Sequence, residues 1–276
     1  MKRHSSKVRW DNLFLILLLL FCIVPLAWTV LASFGVLPNN NILPPTWATQ
    51  PTADNYIQVG VSDPSFLPSV LTSLAVSTAT TVLTIAIAFL AVYGLTHSRF
   101  RGHDLLVQSF LILATLPVIS YMIPLQNTLR IVRLYDTFAG LVLSEAALFA
   151  PLAAYVLYGY LSQLSPDIEE AARLDGAGIF QTLRWMIVPL TAPGVAAIAI
   201  IIFVLSWNQL LLPLILTGQV KTIPAHMIDF FAFERELEWP VAAAALVVSL
   251  LPIGIFVALA HRLLEQFHLT SLHQTG

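Results

Sequence analysis

The residues best suited to chemistry lie in a polar segment between two strongly apolar stretches, residues 165–194. Carboxylates and small residues are interspersed over one short part of it, namely Glu169, Glu170, Ala171, Ala172, Asp175, Gly176 and Ala177. Carboxylates accept hydrogen bonds from basic or amide-bearing groups, and small side chains let another protein approach the backbone closely. The segment therefore predicts a protein-docking site, and a solvated amphipathic loop that binds nothing is the alternative.

Two short helices joined by a hard turn would position these groups. Ser165 is a good N-cap, and Pro166 suits the first helical position. Asp175-Gly176 should end this helix, because glycine adopts the left-handed conformation at little cost. A second helical pattern follows, with apolar residues at 3–4 spacing: Phe180, Leu183 and Ile187. We expect Pro189 and Pro193 to break that helix before the next apolar stretch.

Glu145 is the acidic residue that lies inside an apolar stretch. A carboxylate within a bilayer costs a few kcal/mol, so such residues usually face a cavity or a partner. At about 1.5 Å per residue, Glu145 would lie roughly 10 Å from the external end of its helix. Three interpretations stay open: a pathway residue that hydrogen-bonds a polar solute, a structural pair with a polar group of a partner subunit, or a residue at the water interface.

A second polar group, Trp207-Asn208-Gln209, interrupts another apolar stretch. Tryptophan offers an apolar face on which a sugar ring can stack, and the two amides offer paired donors and acceptors. Tyr121 and Gln126 are weaker candidates for lining the same kind of cavity. The alternative is interhelical packing with a satisfied asparagine.

The composition predicts a polytopic membrane protein. Hydrophobic residues make up 58% of the chain and charged residues 10%, whereas a soluble domain carries about 25% charged residues. The net charge of -2 gives no indication of nucleic-acid binding. Cys22 is the single cysteine, which excludes an intrachain disulfide and a cysteine-based metal cluster.

We predict an all-α fold with six transmembrane helices in a single transmembrane domain, residues 1–276. The first apolar stretch is too long for the core of a secretory signal and fits a retained span. Proline breaks are expected inside the third span, at Pro117 and Pro124. The six predicted spans cover about 13–34, 70–95, 105–125, 138–161, 192–216 and 239–260.

The distribution of basic residues predicts that both termini are cytoplasmic. With this orientation, nine basic residues are cytoplasmic: Lys2, Arg3, Lys7, Arg9, Arg99, Arg101, Arg173, Arg184 and Arg262. Four are external: Arg130, Arg133, Lys221 and Arg235. This excess agrees with the positive-inside rule, and it leaves the 165–190 segment on the cytoplasmic side.

At Glu170-Ala171-Ala172, Asp175-Gly176-Ala177 and Pro189, the sequence resembles the EAA loop of ATP-binding-cassette importer permeases. The wider context, including Trp207-Asn208, is similar to the carbohydrate branch that contains the maltose-type permease. Two positions differ from the family pattern. Met186-Ile187-Val188-Pro189 replaces Ile-x-Leu-Pro, and Gln209 replaces an acidic residue.

The resemblance implies a type I importer permease fold and a set of partners. These would be a second homologous permease, two ATPase subunits that grip the 165–190 loop, an extracytoplasmic solute-binding protein and membrane lipid. ATP and Mg would be bound by the ATPase subunits and no cofactor by this chain, which carries no phosphate-binding loop. The implied solute is a sugar or sugar-like molecule, and the implied location is a bacterial or archaeal inner membrane.

The resemblance also bears on an external loop and on the C-terminal tail. The loop 217–238, rich in acidic and aromatic residues, would reach toward the solute-binding protein; the alternative is an interfacial lid that rests on lipid headgroups. The tail 261–276 matches the family only at Leu269-Thr270, and His268 and His273 are weak evidence for a metal site.

Three alternatives to this assignment stay open. An ion-coupled secondary transporter needs charged ion sites near the midplane, and Glu145 alone is thin support. A membrane-embedded enzyme needs clustered carboxylates or histidines, for which Glu234, Glu236 and Glu238 are the candidates. The third alternative is the same importer class with a non-sugar solute.

Overall fold

The computed structural model describes residues 5–36, 51–62, 64–98, 101–231 and 239–272. The regular secondary structure within these ranges is helical, as predicted. In chain order the α-helices are α1 (Ser5–Ser33), α2 (Asp54–Ser62), α3 (Phe66–Thr96), α4 (His103–Ala114), α5 (Met122–Ile131), α6 (Phe138–Leu161), α7 (Asp167–Leu174), α8 (Ile179–Thr182), α9 (Val188–Trp207), α10 (Leu211–Leu216), α11 (Ile223–Phe231) and α12 (Trp239–Leu272).

Within the described residues, five helical stretches are long and apolar enough to cross a membrane. They cover Asn12–Ser33, Phe66–Thr96, Phe138–Leu161, Ile179–Trp207 and Trp239–Leu259. These stretches correspond to the first, second, fourth, fifth and sixth predicted spans, with ends that differ by a few residues except in the fifth. Their side chains leave much apolar surface exposed, which is expected of helices that meet lipid.

The third predicted span is divided into three helices. α4 ends at Ala114, a 3₁₀ turn covers Val118–Ser120, and α5 begins at Met122. The break lies at Pro117, which has an extended backbone and no N–H to donate. α4 is apolar but only 12 residues long, so by itself it is shorter than a full span.

The fifth span was predicted at about residues 192–216. In the structure it begins and ends earlier, at Ile179 and Trp207. Pro189 and Pro193 do not break the helix, so that expectation was wrong: the helix is continuous from Ile179 to Trp207. A π-helical turn covers Leu183–Ile187, and the N–H of Val188 donates to the carbonyl of Leu183. The wider turn precedes Pro189, whose ring would crowd an ordinary α-helical turn.

The chain forms two compact units. The first comprises Met1–Pro68 and Met227–Leu251. In it the end of α1 is bonded to α2: the Asn55 side chain donates to the Ser33 carbonyl at 2.9 Å, and the Ser33 and Tyr56 hydroxyls lie 2.6 Å apart. These two contacts hold the short helix α2 against the end of α1.

The second unit comprises Ser69–His226 and Pro252–Gly276 and contains two apolar clusters. In one cluster α3, α6 and α9 pack together, with Val92, Ala153, Leu157 and Ile198 almost completely buried. In the other, α5 and α10 pack against α3 and α6. The first cluster also contains Ile187, so it extends to the π-helical turn.

A polar corner ties the turn after α5 to the loop after α10. The Asp136 carboxylate accepts hydrogen bonds from the backbone N–H groups of Gly218 and Gln219, at 2.7 and 3.0 Å. These donors hold the pKa of the Asp136 carboxyl below its usual range. Asp136 itself has a positive φ of 58°, a conformation that aspartate tolerates better than most residues.

Several predicted features lie outside the described residues. These are the cluster Glu234, Glu236 and Glu238, most of the acidic and aromatic part of the loop 217–238, and His273. The side chains of His268, Leu269 and Thr270 also lie outside the described part, although their backbone belongs to α12.

Candidate functional site

The bent segment, residues 165–190, turns sharply between α7 and α8. α7 begins at Asp167, one residue after the predicted start, and the Ser165 hydroxyl accepts a bond from the Asp167 N–H at 3.3 Å. After α7 the chain turns at Gly176, whose φ of +80° lies in the left-handed region. The Ala177 N–H then donates to the Ala172 carbonyl at 2.9 Å. The predicted helix–turn–helix is confirmed, including the left-handed conformation of Gly176.

α7 has an inward side and an outward side. Glu169 and Ala172, three residues apart, point inward: the Glu169 side chain is 14% exposed and Ala172 is 2% exposed. Glu170, Ala171 and Leu174 are exposed. Ala172 therefore packs against its own chain, whereas the sequence analysis assigned it to a surface for another protein.

The outward side of the bent segment carries large apolar residues that sequence reasoning did not select. Leu174 is 89% exposed, Ile179 is 69% exposed and Phe180 is 72% exposed. Asp175 is exposed beside them, and Ala177 is half-buried. Exposed apolar side chains rimmed by carboxylates are typical of a protein-docking surface. The signal in the sequence was the presence of large apolar residues directly beside the Gly176 turn.

The bent segment is joined to the span without a flexible linker. α8, the π-helical turn and α9 form one uninterrupted helix. Ile187 is 1% exposed and packs with Leu157 and Leu161 of α6. Pro189 directly follows the π-helical turn, whose wider hydrogen-bond pattern accommodates the proline inside the continuous helix. A force applied near Phe180 would therefore be carried directly into the membrane-spanning bundle.

The inward carboxylate of α7 contacts the end of α3. Glu169 Oε2 lies 2.7 Å from His97 Nε2 and accepts a longer bond, 3.5 Å, from the Tyr93 hydroxyl. His97 was not among the predicted site residues. Its signal in the sequence was weak, because a histidine just after an apolar span is common at a membrane surface.

Glu145 joins three helices inside the chain. Its side chain is completely buried in α6. Glu145 Oε2 accepts bonds from the Thr80 hydroxyl of α3, at 3.2 Å, and from the Ser206 hydroxyl of α9. Oε1 has no hydrogen-bond partner among the described residues. The contacts match the structural interpretation of Glu145, except that its partners belong to this chain instead of a partner subunit.

The polar group at the end of α9 is divided between the interior and the surface. Trp207 is 3% exposed and stacks on Phe203, with 5.9 Å between ring centroids, so its face is not open to a solute in this structure. Asn208 is exposed at the end of the helix, and its amide donates to the Val204 carbonyl at 2.8 Å. Gln209 accepts a bond from the Leu211 N–H at 3.2 Å. In this structure Trp207 is therefore packed inside the protein and is not available for the predicted stacking on a sugar ring.

Tyr121 and Gln126 flank the start of α5 and are both half-buried. The Gln126 amide donates to the Tyr135 hydroxyl and to the Ile215 carbonyl, each at 3.3 Å. The bond to Ile215 connects α5 with α10, and the bond to Tyr135 connects α5 with the turn that follows it. Gln126 is therefore partly committed to structure, and Tyr121 stays a candidate for the solute pathway.

Removal of the Glu145 acceptor should destabilise the bundle. Glu145→Ala leaves the Thr80 and Ser206 hydroxyls without their acceptor and opens a void, so we expect a loss of about 2–4 kcal/mol in the free energy of unfolding. Glu145→Gln keeps an oxygen for both donors and should lose less than half as much. Thermal unfolding in detergent, followed by tryptophan fluorescence, measures the difference.

The exposed Glu170→Ala serves as the control for this comparison and should leave the unfolding midpoint unchanged. An equal loss in Glu145→Gln and Glu145→Ala would contradict the assignment of Glu145 as a hydrogen-bond acceptor for these hydroxyls.

Comparisons with known proteins agree with this arrangement. A family model described as "Binding-protein-dependent transport system inner membrane component" matches residues 87–267. A trehalose transport system permease protein of Mycobacterium tuberculosis is 33% identical over 249 residues, which cover 88% of this chain and 89% of that protein. A trehalose/maltose transport system permease protein of Thermococcus litoralis is 30% identical over 248 residues, which cover 88% of each chain.

A solved structure has the same fold. A chain of a bacterial ABC transporter involved in the import of the acidic polysaccharide alginate aligns with a TM-score of 0.78 at 19% sequence identity. The alignment covers 95% of this chain and 99% of that chain. Because the family model covers more than half of the sequence and the relatives match most of its length, this chain belongs to the family of binding-protein-dependent transport system inner membrane components.

Proposed function

We propose that this chain is a membrane-spanning subunit of an ATP-driven importer that takes up a sugar or sugar-like solute. The observation that carries the proposal is the bent segment. It exposes Glu170, Leu174 and Phe180 on its outward side and continues without a break into α9. Such a segment is suited to bind a separate ATPase subunit and to transmit its movement to the membrane-spanning helices.

The proposed orientation places the bent segment and both termini in the cytoplasm. It is supported by the excess of basic residues in the segments that would then be cytoplasmic, nine against four over the whole sequence. ATP and Mg would bind to the partner ATPase subunits. Closure of those subunits would move the bent segment, and α9 would carry the movement into the bundle, so that the cavity alternates between inward and outward access.

The proposed assembly contains a second, homologous permease, two ATPase subunits and an external solute-binding protein. The family description names a binding-protein-dependent system. One solved relative by fold is an alginate ABC transporter in complex with a periplasmic protein that carries an alginate pentasaccharide. Both support an external binding protein as the source of solute.

The solute class rests on the relatives, whose names include trehalose and trehalose/maltose. Within this chain, Asn208 and Gln209 at the end of α9 and Tyr121 before α5 are the proposed pathway candidates. Trp207 and Glu145 are packed inside the chain. We therefore propose a structural role for those two residues and expect the partner permease to supply part of the solute contact.

The proposed solute class can be checked on the binding protein of the same system. We expect disaccharides and related glycosides to raise its thermal unfolding temperature by several degrees, because a ligand at a hundredfold excess over Kd stabilises a protein by about 2.7 kcal/mol. Amino acids and chelated metals serve as the comparison panel. A response confined to that panel would exclude a sugar while leaving the importer class intact.

Reversal of the outward carboxylate should release the ATPase. Glu170→Lys places a cation where a basic or amide-bearing partner is expected, so ATPase co-purification should fall at least tenfold and uptake should stop. Asp104→Lys is the matched control, since Asp104 is also an exposed carboxylate in the first turn of a helix. Normal ATPase recovery with Glu170→Lys would contradict the proposed docking site.

Straightening of the bend should lower transport without removing the protein from the membrane. Gly176→Ala forces a side chain into a left-handed conformation that costs roughly 1–2 kcal/mol, enough to reduce the population of the native bend about fivefold or more. Gly178→Ala is the control, because Gly178 has a φ of −74° and the added carbon would meet only Gln181 Oε1, at an ordinary contact distance of 3.9 Å. Uptake into vesicles, normalised to the amount of protein, measures the effect. Equal uptake by the two variants would refute the role of the bend.

A further inference from the structure

We propose that His97 is a positioning residue for energy coupling: it holds α7 in place through Glu169 so that movement of the bent segment reaches the bundle. The inference rests on the proposed function, because it assumes that an ATPase moves this segment. It assigns a role to a residue outside the docking surface, at the end of α3.

The His97 ring is fixed on two sides. Its Nε2 lies 2.7 Å from Glu169 Oε2, and its Nδ1 lies 2.7 Å from the Tyr93 backbone carbonyl. Both neighbouring oxygens are hydrogen-bond acceptors, and each lies next to one ring nitrogen of His97. The ring also lies against the Tyr93 ring, with 4.3 Å between centroids. The imidazole therefore cannot turn away from α7 without losing a bond.

Glu169 differs from the other carboxylates in the first turn of α7. The Asp167 carboxylate accepts a bond from the Ser165 hydroxyl within the same segment, at 3.0 Å, and Glu170 is exposed. Glu169 points inward and bonds groups of α3. Glu169 is therefore committed to contacts within its own chain, whereas Glu170 keeps an exposed carboxylate beside a cavity that both residues line.

The contact matters because α7 is not packed tightly along its whole length. A cavity of about 390 Å³ lies beside α7 and the end of α3, and its lining includes Tyr93, His97, Glu169, Arg173 and Ile187. Ala172 is buried and provides an apolar anchor. Without the bond from Glu169 to His97, α7 would keep that anchor but would have room to tilt into the cavity. If α7 tilted in this way, movement of the ATPase would displace α7 alone and would not be transmitted to α9.

The test uses the complete importer in proteoliposomes with its binding protein and ATP. The readout is the number of solute molecules imported per ATP hydrolysed, together with the amount of ATPase that co-purifies. For His97→Ala we expect this ratio to fall at least threefold while ATPase recovery stays within twofold of wild type. Glu169→Gln should weaken the same contact and lower the ratio in the same direction.

Two further variants separate positioning from folding. His97→Gln keeps an amide donor toward Glu169 and should restore at least half of the ratio lost in His97→Ala. The double variant His97→Ala/Glu169→Gln should be no worse than the poorer single variant, because both changes break one contact. His103→Ala is the control: it removes a histidine that pairs with the carboxylate of its neighbour Asp104.

An unchanged ratio in His97→Ala would overturn the proposal, as would additive losses in the double variant or a loss of ATPase from the purified complex. The result with Glu170→Lys separates this inference from the proposed function. If Glu170→Lys blocks uptake and His97→Ala changes nothing, the positioning role alone fails. If neither variant has an effect, the docking of an ATPase on the bent segment fails as well.

Discussion

A helix inside a membrane must satisfy its own backbone hydrogen bonds, because lipid offers no donors or acceptors in place of water. This constraint governs the stretch from Ile179 to Trp207, which contains two prolines and still forms one continuous helix. Before Pro189 the backbone hydrogen-bond pattern changes from α-helical to π-helical, and the helix continues through the proline without a break. The continuity that results is what connects the bent segment mechanically to the bundle, and the proposed coupling role depends on it.

The same constraint explains how polar side chains are used in the second unit. Glu145 is stabilised by two hydroxyls from neighbouring helices, and Asp136 is bonded to two backbone N–H groups at the corner after α5. Each carboxylate ties together elements that are distant in sequence. We infer that these polar contacts set which helices pack together, since apolar surfaces alone would pack against lipid almost as well as against each other.

The two sides of α7 divide a short sequence between two tasks. Ala172 and Glu169 hold the helix to its own chain, and Glu170, Leu174 and the residues after the bend stay exposed. The proposed coupling role needs both the inward contacts and the exposed surface, because a segment that binds a partner transmits movement only if it is also fixed to its own chain. The membership of the chain in a binding-protein-dependent transport family is consistent with this division.

The sequence by itself determined the class of protein, the approximate positions of most spans and the bend at Gly176. These features follow from local physics. Hydropathy identifies the spans, and a glycine, which adopts a positive φ at little cost, marks the turn. It did not determine the unbroken helix through Pro189, since tolerance of a proline depends on a π-helical turn that no local propensity records. The interior position of Glu145, the packed ring of Trp207 and the pairing of His97 with Glu169 were decided only by tertiary structure. Glu145 and His97 contact residues that lie dozens of positions away in the sequence. The burial of Trp207 depends on which side of α9 faces the bundle. Local sequence patterns predict neither of these.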